Sequence, residues 1–132
     1  MSRTIIASTG LRLIERGEEV RARVYVAGPI SQGDFMLNIR RGIDAANDLR
    51  KLGFVPFCPF LDAFWQLVHH MDYEEMLAQD FAWIGVCDAL YRMPGESPGA
   101  DREVEYARSL GIPVHQSVVE LDASFPRAHG QD

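Results

Sequence analysis

The chain has little of what several large functional classes require. Its 132 residues carry 13 lysines and arginines against 19 aspartates and glutamates, a net charge of −6. It therefore lacks the basic stripe that a binder of duplex or single-stranded nucleic acid sets against phosphates. A small anionic nucleotide is still within reach, because a helix N-terminus and one or two local cations suffice to hold it. Only two cysteines occur, Cys58 and Cys87, each inside an apolar stretch. The first residues show neither a continuous apolar core nor a small-residue cleavage site, so the expectation is a chain without a secretory leader. Such a chain is expected to be cytoplasmic, with both thiols reduced. No apolar run approaches the ~20 residues that cross a bilayer. Internal repeats and low-complexity segments are also missing. His69-His70-x-Asp72 tempts a metal reading, but adjacent histidines point to different sides of a helix and no further ligand keeps a useful spacing. They read as surface histidines, and no metal or cofactor is expected.

What is present is enough for one core. Apolar residues make up 47% of the chain, and the length is that of an ordinary single domain. Residues 1–22 are the least readable part: Thr4-Ile5-Ile6-Ala7 and Leu11-Arg12-Leu13-Ile14 suggest a hairpin or a loose arm, and Glu15 to Arg23 reads as a solvated, charge-dense run. From residue 23 the pattern is regular. Arg23-Val24-Tyr25-Val26-Ala27 is a buried-strand run closed by Gly28-Pro29. Ile39, Ile43, Ala46 and Leu49 then recur at helical spacing, and Gly53 ends that helix. Phe54-Val55-Pro56-Phe57 is a second strand whose proline suggests a sheet edge. Pro59 to Asp72 reads as a connection carrying Phe60, Phe64 and Trp65, expected to fold over the crevice, with Phe64 and Trp65 read as core or lid before base-stacking platform. Tyr73 to Val86 is helical, Asp88 to Met93 a third strand, Pro98 to Leu110 a third helix and Ile112 to His115 a fourth strand; residues 126–132 read as a tail.

Strand and helix alternate three times, which predicts an α/β domain over residues 23–125. The expected form is a single-domain, doubly wound, flavodoxin-like parallel sheet of four to five strands with helices on both faces. In such a sheet the ligand sits outside the strand C-termini where the winding reverses. Gly28 to Gly33 and Pro94 to Gly99 are then expected to face each other across one pocket. Met93-Pro94-Gly95-Glu96-Ser97-Pro98-Gly99 is the organising stretch, a strand end and a Gly/Pro turn that open a helix at Ser97. Three parts converge on that crevice: Tyr25 with the Gly28-Pro29-Ile30-Ser31 turn, Asp80 on the preceding helix, and Ser97 to Glu103. Two carboxylates at a sugar-sized pocket suit glycosidic chemistry, one attacking the anomeric carbon and one trading a proton with the leaving group. A tyrosine hydroxyl can orient the nucleophile, and burial beside Phe81 and Trp83 can keep the acid protonated. Acidic residues in a helix's first turns are ordinarily dipole partners on a solvated face, which is the plain reading of Asp101, Glu103 and Glu105. Asp88, just before a strand, reads as a loop tie.

The motifs Tyr25-Val26-Ala27-Gly28-Pro29-Ile30-Ser31, Asp80-Phe81-Ala82-Trp83-Ile84 with Cys87-Asp88-Ala89, and Ser97-Pro98-Gly99 ahead of Glu103 resemble the nucleoside 2-deoxyribosyltransferase-like superfamily. The resemblance spans about residues 23 to 116, in order. It implies a covalent glycosyl-enzyme mechanism with Glu103, six residues after Ser97, as nucleophile. Asp80 would assist the departing base and Tyr25 would position the nucleophile. Gly28, Ser31, Ser97 and Gly99 match positions that hold the sugar or a 5′-phosphate, and Pro29, Ile30 and Trp83 are expected among the substrate-binding residues with them. It also implies a small nucleoside or nucleotide as partner, rather than a nucleic-acid polymer or a membrane, and a homodimer or higher homo-oligomer. Nucleotide-cleaving members often carry an arginine in the first turn. Here the run is Ser31-Gln32-Gly33-Asp34, so Arg40, Arg41, Arg92 or Arg102 would have to compensate. Hydrolysis is favoured over base exchange. Two competitors are a phosphoribohydrolase like those that activate cytokinins and a nucleotide-sensing module that binds without turnover.

Overall fold

The computed structural model describes Ile5–Ile6, Arg12–Leu13 and residues 19–126, the first six of these residues by backbone only. Of the expected tail at 126–132, residues 127–132 lie outside the described residues. Strands β1 (Ile5–Ile6), β2 (Arg12–Leu13) and β3 (Glu19–Val20) pair antiparallel in that order, so the early segment takes the hairpin form with one strand added.

The main sheet holds β4 (Arg23–Ala27), β5 (Val55–Phe57), β6 (Ala89–Arg92) and β7 (Val114–His115). All neighbours are parallel and the order is β5-β4-β6-β7. That order is the doubly wound, flavodoxin-like arrangement the sequence predicts, with the proline-bearing β5 at an edge where its missing N–H costs no ladder bond. The helices are α1 (Phe35–Lys51), α2 (Asp62–Val68) after a short 3₁₀ turn at Pro59–Leu61, α3 (Tyr73–Ile84), α4 (Pro98–Ser109) and α5 (Val118–Ser124). Successive residues of β4 face opposite ways. Val24 and Val26 enter a core with Ile39, Ala46 and Leu49 of α1 and Leu121 of α5. Tyr25 and Ala27 enter a second core with Ile84 of α3 and Ala100, Val104 and Ala107 of α4. Tyr25 is thereby committed to the α3–α4 side by strand alternation alone.

Four expectations change. The connection from Pro59 to Asp72 contains a 3₁₀ turn and α2, with Phe60 fully buried. Ile43 is exposed, because α1 presents Gly42 and Ala45 to the sheet layer and lets the Phe60 ring take the volume. The charge-dense run is not all solvated: Arg21 is 1% exposed. Its guanidinium donates to the carbonyls of Leu52, Asp122, Phe125 and Pro126 and pairs with the Asp122 carboxylate, which ties Pro126 down instead of leaving it in a loose tail. Finally, Ser117-x-x-Glu120 starts α5, the Ser117 hydroxyl accepting from the Glu120 N–H at 3.3 Å, a capping signal in a stretch to which no element was assigned. Asp88 does tie its loop, accepting from the Arg23 N–H at 2.8 Å.

A Cβ at Gly42 would lie 2.3 Å from the Phe60 ring. Alanine gains about 1 kcal/mol over glycine inside a helix, but overpacking a filled core costs typically about 1–3 kcal/mol, and a contact this short belongs at the upper end. Gly42→Ala is therefore expected to lose about 1–2 kcal/mol in urea denaturation; a variant as stable as the parent contradicts this packing.

Candidate active site

The site is assembled by where α4 starts. β6 ends at Arg92, and the chain turns through Met93 to Glu96 with Gly95 at φ 115°, a conformation that favours glycine. A Cβ there would also sit 2.7 Å from the Pro29 ring, so the turns after β4 and β6 touch. Arg92 braces the second turn, donating to the carbonyls of Met93 and Gly95 and pairing with Asp101 at 3.0 Å. Ser97 caps α4, its hydroxyl oxygen accepting from the Ala100 N–H at 3.1 Å, and Pro98 takes the first helical position. This start places Glu103 in the second turn on the face toward the sheet. It is 7% exposed, and the Tyr25 hydroxyl donates to its Oε2 at 2.7 Å. Asp101 and Glu105 lie exposed on other faces of the helix.

Helix α3 supplies the second carboxylate. Phe81 and Tyr106 stack face to face at 4.3 Å and Arg102 pairs with Glu74 at 3.0 Å, two contacts that hold α3 beside α4. Asp80 then lies close enough to Glu103 for each carboxyl to shift the other. Burial is the first cause of the shifts in this cluster. It raises Glu103 to about 9, with the Asp80 carboxylate adding to the rise, and raises Asp80 to about 6. The Tyr25 phenol is also pushed well above its usual range by burial and then by the charge of Glu103. Near neutrality the two carboxyls therefore share one proton, while Tyr25 keeps its own and points it at Glu103.

The three residues expected to do chemistry, Tyr25, Asp80 and Glu103, are thus brought together. The turns after β4 and β6 do face each other across one pocket, as expected, but Asp80 opens into a second cavity that shares no lining residue with it. The larger, about 350 Å³, lies between the turns after β4 and β6 and is lined by Pro29, Gln32, Gly33, Met93, Pro94, Gly95 and Glu96 with Asp34 and Arg41. The smaller, about 170 Å³, is lined by Phe57, Asp62, Trp65, Met71, Met76, Gln79, Asp80 and Trp83. Asp80 opens into the smaller, and because strongly shifted carboxyls mark candidate working sites, the smaller is the candidate catalytic cavity. Trp83 stacks on Phe57 at 4.9 Å, and Phe57 on Tyr25 at 5.6 Å, so one aromatic wall runs from Tyr25 into this cavity.

The remaining expected residues are placed as follows. Gly28 is buried, with a Cβ position 3.0 Å from Met93; Pro29 packs on Gly95; Ile30 accepts from the Asn38 amide at 3.1 Å; Ser31 is exposed. Gly99 lies beneath the Tyr73 hydroxyl. Of the four arginines, Arg40 faces Asp44 and Arg102 faces Glu74, Arg92 is committed to the turn, and Arg41 has no hydrogen bond or ion pair among the described residues. Phe57, Asp62 and Gln79 were not singled out from the sequence; only the strand C-terminal position of Phe57 marked it. Among the described residues no group of three His, Cys, Asp or Glu side chains is placed to hold a metal ion, His69 and His70 are exposed, and no helix is long and apolar enough to cross a membrane.

Both carboxyls hold protons more tightly folded than at their ordinary values of 3.8 and 4.5. The folded chain therefore binds more protons than the unfolded one, and stability falls as pH rises from about 5 toward 9. Glu103→Gln is expected to flatten much of that slope and to exceed the parent near pH 9, where the buried charge costs most. Equal slopes in urea denaturation near pH 5, 7 and 9 would show that Glu103 is not desolvated in the folded chain.

In fold the chain is similar to two solved 2-deoxyribosyltransferases. The enzyme from Bacillus psychrosaccharolyticus superposes with a TM-score of 0.56 at 22% identity, over 76% of this chain and 78% of that one. The enzyme from Leishmania mexicana superposes with a TM-score of 0.53 at 19% identity, over 70% of this chain and 61% of that one. The fold is therefore 2-deoxyribosyltransferase-like. No curated protein matches the sequence. Residues 22–116 match a family described as Domain of unknown function (DUF4406), and with most of its length inside that match the chain belongs to this family.

Proposed function

We propose that the chain cleaves the N-glycosidic bond of a nucleoside or nucleoside 5′-monophosphate, with water as the favoured acceptor. One observation carries the reading: a buried glutamate on α4 accepts from a buried tyrosine, beside an aspartate that opens into an aromatic-walled cavity. In the resting site the proton favours the more buried Glu103. Its transfer to Asp80 makes both reactants at once, a Glu103 carboxylate kept in place by the Tyr25 hydroxyl and a protonated Asp80 beside the base.

Glu103 then attacks C1′ of the sugar. The C1′–N bond breaks, its electron pair goes to the base nitrogen, and Asp80 delivers the proton that makes the base a neutral leaving group. Water attacks C1′ from the vacated side, Asp80 takes its proton, and the C1′–O bond to Glu103 breaks to return the carboxylate. The Ser97 hydroxyl hydrogen, Gly99 and the Gly28-to-Ser31 turn are the groups offered to the sugar and its 5′ end. Arg41 is the cation least committed elsewhere for a 5′-phosphate. The second reading is base exchange, favoured by the fold likeness to two 2-deoxyribosyltransferases; it differs only in a second base replacing water.

Base release from ribo- and deoxyribonucleosides and their 5′-monophosphates, followed by chromatography, tests this. Glu103→Ala is expected to abolish release while remaining folded, and Asp80→Asn to slow it roughly 10²–10⁴-fold. Tyr25→Phe is expected to slow it roughly 10- to 100-fold. Parental rates in the Glu103 and Asp80 variants would remove the two-carboxylate mechanism, and a new nucleoside formed only with added base would select exchange.

We also propose a homodimer or higher homo-oligomer in a reducing cytoplasmic setting. Support comes from Leu61, Phe64, Trp65, Leu67 and Val68, which stand more than half exposed along one short segment, an apolar surface larger than isolated surface residues produce. Sedimentation should find an oligomer that Leu67→Glu weakens; a monomeric parent at high concentration removes the idea.

A further inference from the structure

The smaller cavity holds a carboxylate that the bond-breaking step does not use. Asp62 is the first residue of α2, where an acidic side chain ordinarily complements the helix dipole in water. It caps nothing, and among the described residues it has no hydrogen bond or ion pair. It lies instead on the wall of the cavity that also holds Asp80, Trp65 and the Phe57–Trp83 stack. Burial raises its carboxyl above the ordinary range, and its charge is close enough to raise Asp80 and Tyr25. A carboxylate in an aromatic slot beside two other acidic groups is short of donors. A flat heterocycle entering between Trp65 and Trp83 would bring it one.

Building on the N-glycosidase reading, we propose that Asp62 is a specificity determinant that selects bases carrying an exocyclic amino group over their oxo counterparts. An amino N–H donates to the carboxylate, which accepts only. A carbonyl oxygen in the same place sets acceptor against acceptor and leaves both unsatisfied, the situation in which polar sites discriminate most strongly. Gln79 on the same wall offers both a donor and an acceptor and so satisfies either edge, which leaves the choice to Asp62. Asp80 is occupied with the leaving nitrogen. Selection and bond cleavage are thus divided between two aspartates on different helices.

The test compares amino and oxo pairs, cytidine with uridine and adenosine with inosine, with their deoxy and 5′-monophosphate forms. Base release and calorimetric binding are read separately. The parent is expected to prefer the amino member of a pair by roughly tenfold or more in both readouts. Asp62→Asn, whose amide can donate to a carbonyl, should erase or invert that preference while still releasing base from an oxo substrate. Asp62→Ala should flatten it. Equal treatment of amino and oxo members by the parent, or an unchanged preference in both variants, overturns the proposal and leaves the N-glycosidase reading standing. A binding preference that depends on Asp62 with no release from any substrate would sink the enzymatic reading and keep the selection. No binding of either kind would overturn both.

Discussion

The hydrogen bond from Tyr25 to Glu103 is the constraint around which the rest of the domain is arranged. A carboxylate kept from water is expensive unless it is paired, hydrogen-bonded or protonated, and Glu103 is almost fully covered. The chain meets that cost from three directions. The central strand contributes a hydroxyl that can only usefully donate, because its own ionisation is suppressed. Helix α3 contributes Asp80, with which the proton is shared. The residual positive field of Arg92 opposes the rise. None of these would reach Glu103 if α4 began one residue earlier or later, since a helix turns about 100° per residue. The Ser97 cap and Pro98 are therefore as much a part of the site as the carboxylates.

What could be read from the sequence follows the range of the interactions involved. β4 was legible because a strand buried on both faces is a near-continuous apolar run, and α4 because serine, proline and glycine punctuate its start. The position of Glu103 came from motif register; periodicity alone would have left it on a solvated face. What stayed hidden depends on partners far along the chain. Arg21 is buried only because α5 and the carbonyls near residue 125 come back to meet it. The stack of Phe57 on Trp83 joins an edge strand to a helix that follows two others. Ile43 lost its expected place to Phe60, a residue in a stretch that had looked like a mere connection. Asp80 opens toward Phe57, Trp65 and Trp83 instead of toward the turns that hold Pro29 and Gly95, a direction set by how α3 packs and not legible in either turn.

The division of cavities matters for how fold and function are related here. A 2-deoxyribosyltransferase-like sheet brings two turns together at the switch point, and in such folds that crevice is the default ligand site. In this chain the shifted carboxyls open on the α2–α3 side instead, against aromatic rings. Fold similarity at this level of identity carries the architecture; the chemistry has to be argued from the cluster of Tyr25, Asp80 and Glu103. Family membership adds the extent of the domain, residues 22–116, which encloses every one of these side chains.

The meeting of Pro29 with Gly95 has one more consequence. Two turns that would otherwise fluctuate separately are wedged against each other, one by a ring of fixed φ and the other by a glycine with no side chain to move aside. At this point neither turn can move without the other. A ligand arriving beside it has little loop entropy left to extinguish, so its contacts convert more fully into affinity. The same wedge limits adaptability: the rim of the larger cavity cannot widen by shifting one turn alone. Variation in what this rim accepts would have to come through paired changes at positions 29 and 95, whose effects on binding would not add.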